Sequence, residues 1–262
     1  MVIINSIYNN VSKQGLGNRL FQYCWARQIA EKKKYKLISP IIPGFPITYN
    51  SLHGLEKTDN ILITPEATQI FDMDKIHNHD GQIIISGYSQ RYEHYCKNKD
   101  DIKNWMTVEH EDVYEKPGEY DIVLNIRLGD YVPLKWDIEM EYYLSILRKE
   151  TFDKAVIICD EPNNPRLNML KEFGCVVKDN SHWGRNKFLA DFVFVKNSNK
   201  SIIANSTFSW WATFLGTGKV YYPCFKFPWQ NDINTYKSIN IEEIDLRPYD
   251  EDRYNFIYTY EN

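Results

Sequence analysis

Apolar positions along this chain fall into two alternating rhythms. Short runs rich in β-branched residues lie at 2–7, 82–86, 121–126, 155–159, 201–204 and 219–222, and helical spacing intervenes, most plainly over 19–33 and in a polar amphipathic stretch after 86. Strands that alternate with helices form parallel sheets with helices covering their faces, so the pattern predicts an α/β fold. Glu115-Lys-Pro-Gly-Glu119 interrupts any element just ahead of a new apolar run, which places the expected domain boundary there. The resulting division is a first lobe over 1–117, a second over 118–240, and a tail over 241–262. The tail mixes acids with Tyr and Phe and is expected to be a returning helix or a docked arm.

Composition narrows the function classes. At 262 residues, with 43% hydrophobic and 15% aromatic positions, the chain can bury a core without a disulfide framework or structural metal. Its 31 basic and 35 acidic residues leave a formal charge of −4, so no global basic field draws in nucleic acid or anionic lipid. Any phosphate site must be local. The five cysteines are scattered and odd in number, which favours reduced core thiols. No run approaches the ~20 apolar residues of a spanning helix, and the first residues lack the pattern of an export signal. A cytoplasmic location is therefore expected, with the acceptor patterns Asn10-Val-Ser12, Asn199-Lys-Ser201 and Asn205-Ser-Thr207 unmodified.

Three stretches carry candidate chemistry. In Gln14-Gly-Leu-Gly-Asn-Arg-Leu-Phe-Gln-Tyr23, a strand gives way to a small-residue turn and then a helix. Gly15 and Gly17 allow close backbone approach, and the helix start offers free N–H groups to an anion; an ordinary strand-to-helix turn has the same pattern. In Leu124-Asn-Ile-Arg-Leu-Gly-Asp-Tyr131, an apolar strand delivers Arg127 at its carboxyl end. Ligands of open α/β sheets bind there, and a planar guanidinium suits a diphosphate, although a strand-end salt bridge is an equal reading. In the stretch 201–215, an apolar strand ends in Asn205, Ser206, Thr207, Phe208 and Ser209 before an apolar helix. One hydroxyl would cap that helix, whose positive end attracts phosphate, and Trp210, Trp211 and Phe214 are simplest as core. Asp72-Met-Asp74, near His77 and His79, lacks a regular metal-ligand spacing and is expected to be a polar loop.

Together these stretches resemble the family 11 glycosyltransferases, the inverting α-1,2-fucosyltransferases, in order and over most of the chain. Residues 15–27, Gly87-Tyr-Ser-Gln-Arg-Tyr92, Asn125-Ile-Arg-Leu-Gly-Asp-Tyr131, Glu141-Tyr-Tyr143, Cys159-Asp-Glu161 and residues 202–211 are similar to that family's successive landmarks. The resemblance implies a GT-B-like arrangement of two small Rossmann-like lobes with a nucleotide cleft between them. It also implies GDP-fucose as donor, an oligosaccharide acceptor, transfer to O2 of galactose and no required metal or other cofactor. Two departures stand out: Asn125 replaces the motif's usual His, and Leu128 replaces a frequent second Arg. Another donor, such as GDP-rhamnose, is thereby a rival, as is a noncatalytic binding protein of the same fold.

Residue roles follow from the same resemblance. Arg127 is expected to neutralise the β-phosphate, with Asp130 as nominee for the general base or as the residue holding Arg127. Asn125 and Asp191 are expected at the guanine, Asp191 being equally able to cap the helix around 192–195. Asn205, Ser206, Thr207, Phe208 and Ser209, with Gly17 and Asn18, are expected on the donor side. Arg19 and Gln22, with Asn18, are expected towards the fucose or acceptor.

Overall fold

The computed structural model describes residues 1–4, 14–47, 60–64, 73–224, 248 and 250–258. It divides into two compact units, the described residues up to Glu109 and those from His110 onward. Glu115-Lys-Pro-Gly-Glu119 lies inside the second unit. Glu111 pairs there with Lys196 at 2.7 Å, Lys178 with Glu115 at 2.7 Å, and the Tyr114 ring lies 4.7 Å from that of Trp183.

The first unit is a four-stranded parallel sheet. It contains β1 (Val2–Ile4), α1 (Leu16–Lys33), β2 (Leu37–Ile38), β3 (Ile61–Ile63), α2 (Met73–Asn78), β4 (Gln82–Ile85) and α3 (Lys99–Trp105), with strand order β2-β1-β4-β3. Helix α1 starts after Gly15 and ends at Lys34, which turns left-handed at φ 55°. It buries Leu20, Phe21, Cys24, Trp25 and Ile29. Of Asp72-Met-Asp74, expected as a polar loop, Met73 and Asp74 lie on α2, and Asp72 is outside the described residues.

The second unit contains β5 (Ile122–Ile126), α4 (Tyr131–Leu134), α5 (Met140–Leu147), β6 (Ala155–Cys159), α6 (Asn168–Glu172), β7 (Val176–Val177), α7 (Lys187–Lys196), β8 (Lys200–Ile203), α8 (Thr207–Leu215), β9 (Lys219–Cys224) and β10 (Tyr254–Tyr258). Its six strands are all parallel, in the order β10-β9-β8-β5-β6-β7. Counted along the chain, the first three strands step one way from β5 and the last three step the other way. The order therefore reverses between β5 and β8, as in the doubly wound dinucleotide-binding fold.

Burial explains this placement. Every residue of β5 and β6 is buried, as parallel strands covered on both faces require. Ile122, Leu124 and Ile126 pack with Tyr142, Tyr143 and Leu147 of α5 and with Leu170 of α6. Strand alternation turns Asn125 to the opposite face, where α8 starts. There Trp210 stacks on Phe214 at 4.6 Å and Phe192 meets Phe208 edge-on at 5.4 Å. The tail supplies β10, not a helix: Tyr254 is buried with Ile203 and Val220, and the strand pairs with β9 from Val220 to Cys224. Cys24, Cys159, Cys175 and Cys224 are free thiols in the interior, and Cys96 is half-buried. Among the described residues, no helix is long and apolar enough to cross a membrane.

Candidate functional site

The site lies in the second unit, where β5, β6 and β8 end beside the reversal of strand order. Strand β5 carries the chain straight to Arg127, whose side chain is 41% exposed. Its Nε and Nη2 donate to Oδ1 of Asp130 at 2.9 and 2.7 Å, and its Nη1 lies 3.1 Å from Oδ2 of Asp160. Asp160 is the first residue after β6. Its Oδ1 also accepts from the Leu128 amide at 2.9 Å, and its Oδ2 from the Gly129 amide at 3.1 Å. Gly129 makes this approach possible, since a Cβ there would stand 2.6 Å from Asp160 Oδ2. Leu128 is fully buried, which accounts for an apolar residue beside the arginine.

The next loop is tied to this one. Tyr131, whose ring centre lies 5.6 Å from the Arg127 guanidinium, donates its hydroxyl to the Asn205 carbonyl at 3.2 Å. Burial pushes its phenol up to about 12, so it remains a neutral donor near pH 7. Ser206, in extended conformation, caps α8: its Oγ accepts from the Ser209 amide at 3.1 Å and lies 2.7 Å from the Ser209 hydroxyl. That hydroxyl donates to Oδ1 of Asn125. Asn125 is 5% exposed, and its Nδ2 donates to the Ile158 carbonyl at 3.4 Å.

The strand-end cluster thus contains Asn125, Arg127, Asp130, Asn205, Ser206 and Ser209, with Thr207 and Phe208 in the first turn of α8. Three properties suit it to an anion. The guanidinium is exposed, the first turn of α8 has backbone N–H groups without intrahelical partners, and the helix dipole adds positive potential. Nδ2 of Asn205 is also buried without a hydrogen-bond partner among the described residues. A buried donor left so implies that something else satisfies it.

The other candidates belong to other elements. Asp191 is in the middle of α7, where Asn186 holds the N-cap position, so it does not start that helix. Its Oδ1 accepts from Asn180 at 2.7 Å and its Oδ2 pairs with Lys187 at 2.8 Å. Gly17, Asn18, Arg19 and Gln22 belong to α1 in the first unit. There Oδ1 of Asn18 accepts from Gln90 at 3.1 Å, and Gln22 is buried. Arg19 donates to the Ile41 carbonyl while its Nε has no partner among the described residues, and burial lowers its pKa. A cavity of about 550 Å³ also lies in the first unit, lined by Tyr23, Arg27, Glu31, Lys34 and Tyr35 among others. Among the described residues, no group of three His, Cys, Asp or Glu side chains is placed to hold a metal.

Sequence reasoning missed Asp160 and Tyr131 as parts of the site. Both stood inside recognised landmarks. What linear spacing could not supply was the pairing of β5 with β6, which sets Ile126 opposite Cys159 and so brings Asp160 to the Arg127 turn.

No protein-family model matches the chain, and no curated protein matches it in sequence. Among solved structures, an arginine-to-lysine mutant of Arabidopsis thaliana FUT1 in complex with GDP is similar over 84% of this chain and 69% of that one, at a TM-score of 0.55 and 13% identity. A likeness at that identity is one of fold. The chain has an α/β fold of parallel sheets and helices, GT-B-like in kind.

Proposed function

We propose that this chain is a GDP-sugar glycosyltransferase, and more narrowly an inverting fucosyltransferase of the family 11 kind that transfers L-fucose from GDP-fucose to a glycan hydroxyl, with galactose O2 as the favoured position. One observation carries this reading: Arg127 and the capped N-terminus of α8 flank the point where the strand order of a doubly wound parallel sheet reverses. That is where such sheets bind nucleotides. The fold's likeness to a fucosyltransferase solved with GDP supports the choice of nucleotide.

The chemistry follows from charge. As the acceptor hydroxyl attacks the anomeric carbon, the departing GDP gains negative charge on its β-phosphate. Arg127 and the first-turn amides of α8 are placed to take up that charge, which is the main barrier to transfer. On this reading no metal is required, because these groups do what a divalent cation does elsewhere. Asp130, exposed beside Arg127, is the nominee for accepting the acceptor proton. The two departures from the family motif have interior explanations: Asn125 bonds to Ser209, and Leu128 fills the core. Neither removes Arg127 from the site, so the diphosphate contact is kept, and the fucosyl choice rests on the family resemblance.

The test is hydrolysis and transfer with a panel of GDP-sugars in EDTA. Turnover of GDP-fucose above the others supports the donor assignment. Exclusive turnover of GDP-rhamnose moves the chain to a different donor, and GDP binding without any turnover makes it a binding protein.

A further inference from the structure

We propose that Asp160 is the positioning residue of the diphosphate site, and that the diphosphate enters by displacing Asp130, not Asp160, from Arg127. The inference rests on the GDP-sugar reading of this site and assigns a different job to each of its two carboxylates.

A carboxylate beside an intended anion site is a liability, because like charges repel. Two sit here, but they are held differently. Asp160 lies at the end of β6 with its side chain 25% exposed and makes four contacts, two with backbone amides, one with Arg127 and one with the Cys159 thiol at 3.6 Å. Those amides, of Leu128 and Gly129, form the turn that Arg127 opens. Asp160 therefore fixes the backbone on which the guanidinium is mounted and grips Nη1 as well. Its charge is absorbed chiefly by the three donors of the turn it organises. Gly129, which lacks a Cβ, lets this carboxylate come close.

Asp130 has a weaker hold. Its side chain is 60% exposed, and its hydrogen bonds to Arg127 come from Nε and Nη2. That edge of the guanidinium is the fork that binds a phosphate through two parallel hydrogen bonds. Asp130 occupies it as a solvent-exposed pair three residues along the chain, a class of interaction that contributes little. With Nη1 anchored on Asp160, the guanidinium keeps its orientation while a phosphate oxygen pair replaces Asp130 at the fork. Asp130 is then free of its ion pair and able to accept a proton.

The sign of the mutational effects tests this. On charge alone, removing either carboxylate strengthens GDP binding. On the positioning role, Asp130→Asn strengthens it while Asp160→Ala weakens it about tenfold, the scale of a lost charge-assisted hydrogen bond. The measurement is GDP titration of the full chain, with thermal unfolding of each variant as a check on folding. Asp160→Asn, which keeps the shape and one acceptor, stands in if the alanine variant does not fold and is expected to shift affinity in the same direction. A purely structural role is distinguished in an Arg127→Lys background, where an ammonium has no fork to orient. There the loss from Asp160→Ala is expected to shrink below about threefold. Unchanged or tighter GDP binding in folded Asp160 variants of a chain that binds GDP overturns the proposal, as does an undiminished loss in the Arg127→Lys background. Failure of the unmutated chain to bind GDP contradicts instead the GDP-sugar reading beneath it.

Discussion

The hydroxyl of Ser209, in the first turn of α8, donates to Oδ1 of Asn125 on β5. The two residues belong to segments far apart in the chain that become neighbours where the strand order reverses. Strand β8 already pairs with β5, and this side-chain bond extends the junction beyond the last paired residues, so that the capped helix start and the Arg127 turn are held together.

Replacing Asn125 by Leu keeps the branched shape but removes the acceptor, leaving Ser206 Oγ, 2.7 Å away, as the remaining partner of the buried Ser209 hydroxyl. The expected loss is about 1 kcal/mol of stability, the net contribution of one hydrogen bond. Chemical denaturation checks it, and a stability equal to that of the unmutated chain would mean that the contact with Ser206 satisfies the hydroxyl fully.

Ser206→Ala removes the cap of α8. The expected loss is about 1 kcal/mol, with a smaller loss for Ser206→Gly, which lacks the hydroxyl but tolerates the cap position well. GDP affinity should fall with it, because a frayed first turn no longer aims its amides. Unfolding and GDP titration of both variants together separate the cap from the ligand contact.

Gly129→Ala puts a Cβ 2.6 Å from Oδ2 of Asp160. The carboxylate must move off the Leu128 and Gly129 amides, and Arg127 loses its anchor. GDP affinity is expected to fall about tenfold, as for loss of Asp160 itself. An alanine variant that binds GDP normally would show that Asp160 can retreat without consequence.

How much of this was legible beforehand depended on range. An apolar run ending in Arg127, and a hydroxyl cluster ahead of an apolar helix, are local patterns, and the elements they announce formed as expected. Ser206 could be expected as a cap because capping involves residues three apart. Asp160 could not, since its partners lie across a strand pair. Asn125 was expected at a base edge, yet its amide is engaged with Ser209 and Ile158, which depends on the face that β5 turns to α8. The tail was ambiguous because a short aromatic strand and a helix turn use similar residues; pairing with β9 decided it.

At the other end of the sheet, Glu150 pairs with Lys219 at 3.0 Å and Lys200 at 3.1 Å. Burial raises its pKa, but hydrogen bonds from Tyr221, Lys219 and Lys200 outweigh burial and bring it from 4.5 to about 2. A depressed carboxylate stabilises the fold fully above its unfolded value and loses that contribution as pH falls through the folded one. Stability is therefore expected to decline from near pH 5 towards pH 2. Glu150→Gln should flatten that limb without changing GDP affinity, as pH-dependent unfolding and a single GDP titration will show.

The most direct measurement is calorimetric titration of the full chain with GDP in EDTA, beside Arg127→Ala. Binding by the unmutated chain is expected, with a loss on mutation of about tenfold to a hundredfold, as for loss of hydrogen bonds between charged groups. Equal affinity in the two proteins would remove Arg127 from the site. Absence of binding by the unmutated chain, in EDTA and with manganese alike, would contradict a nucleotide site at the strand-order reversal altogether.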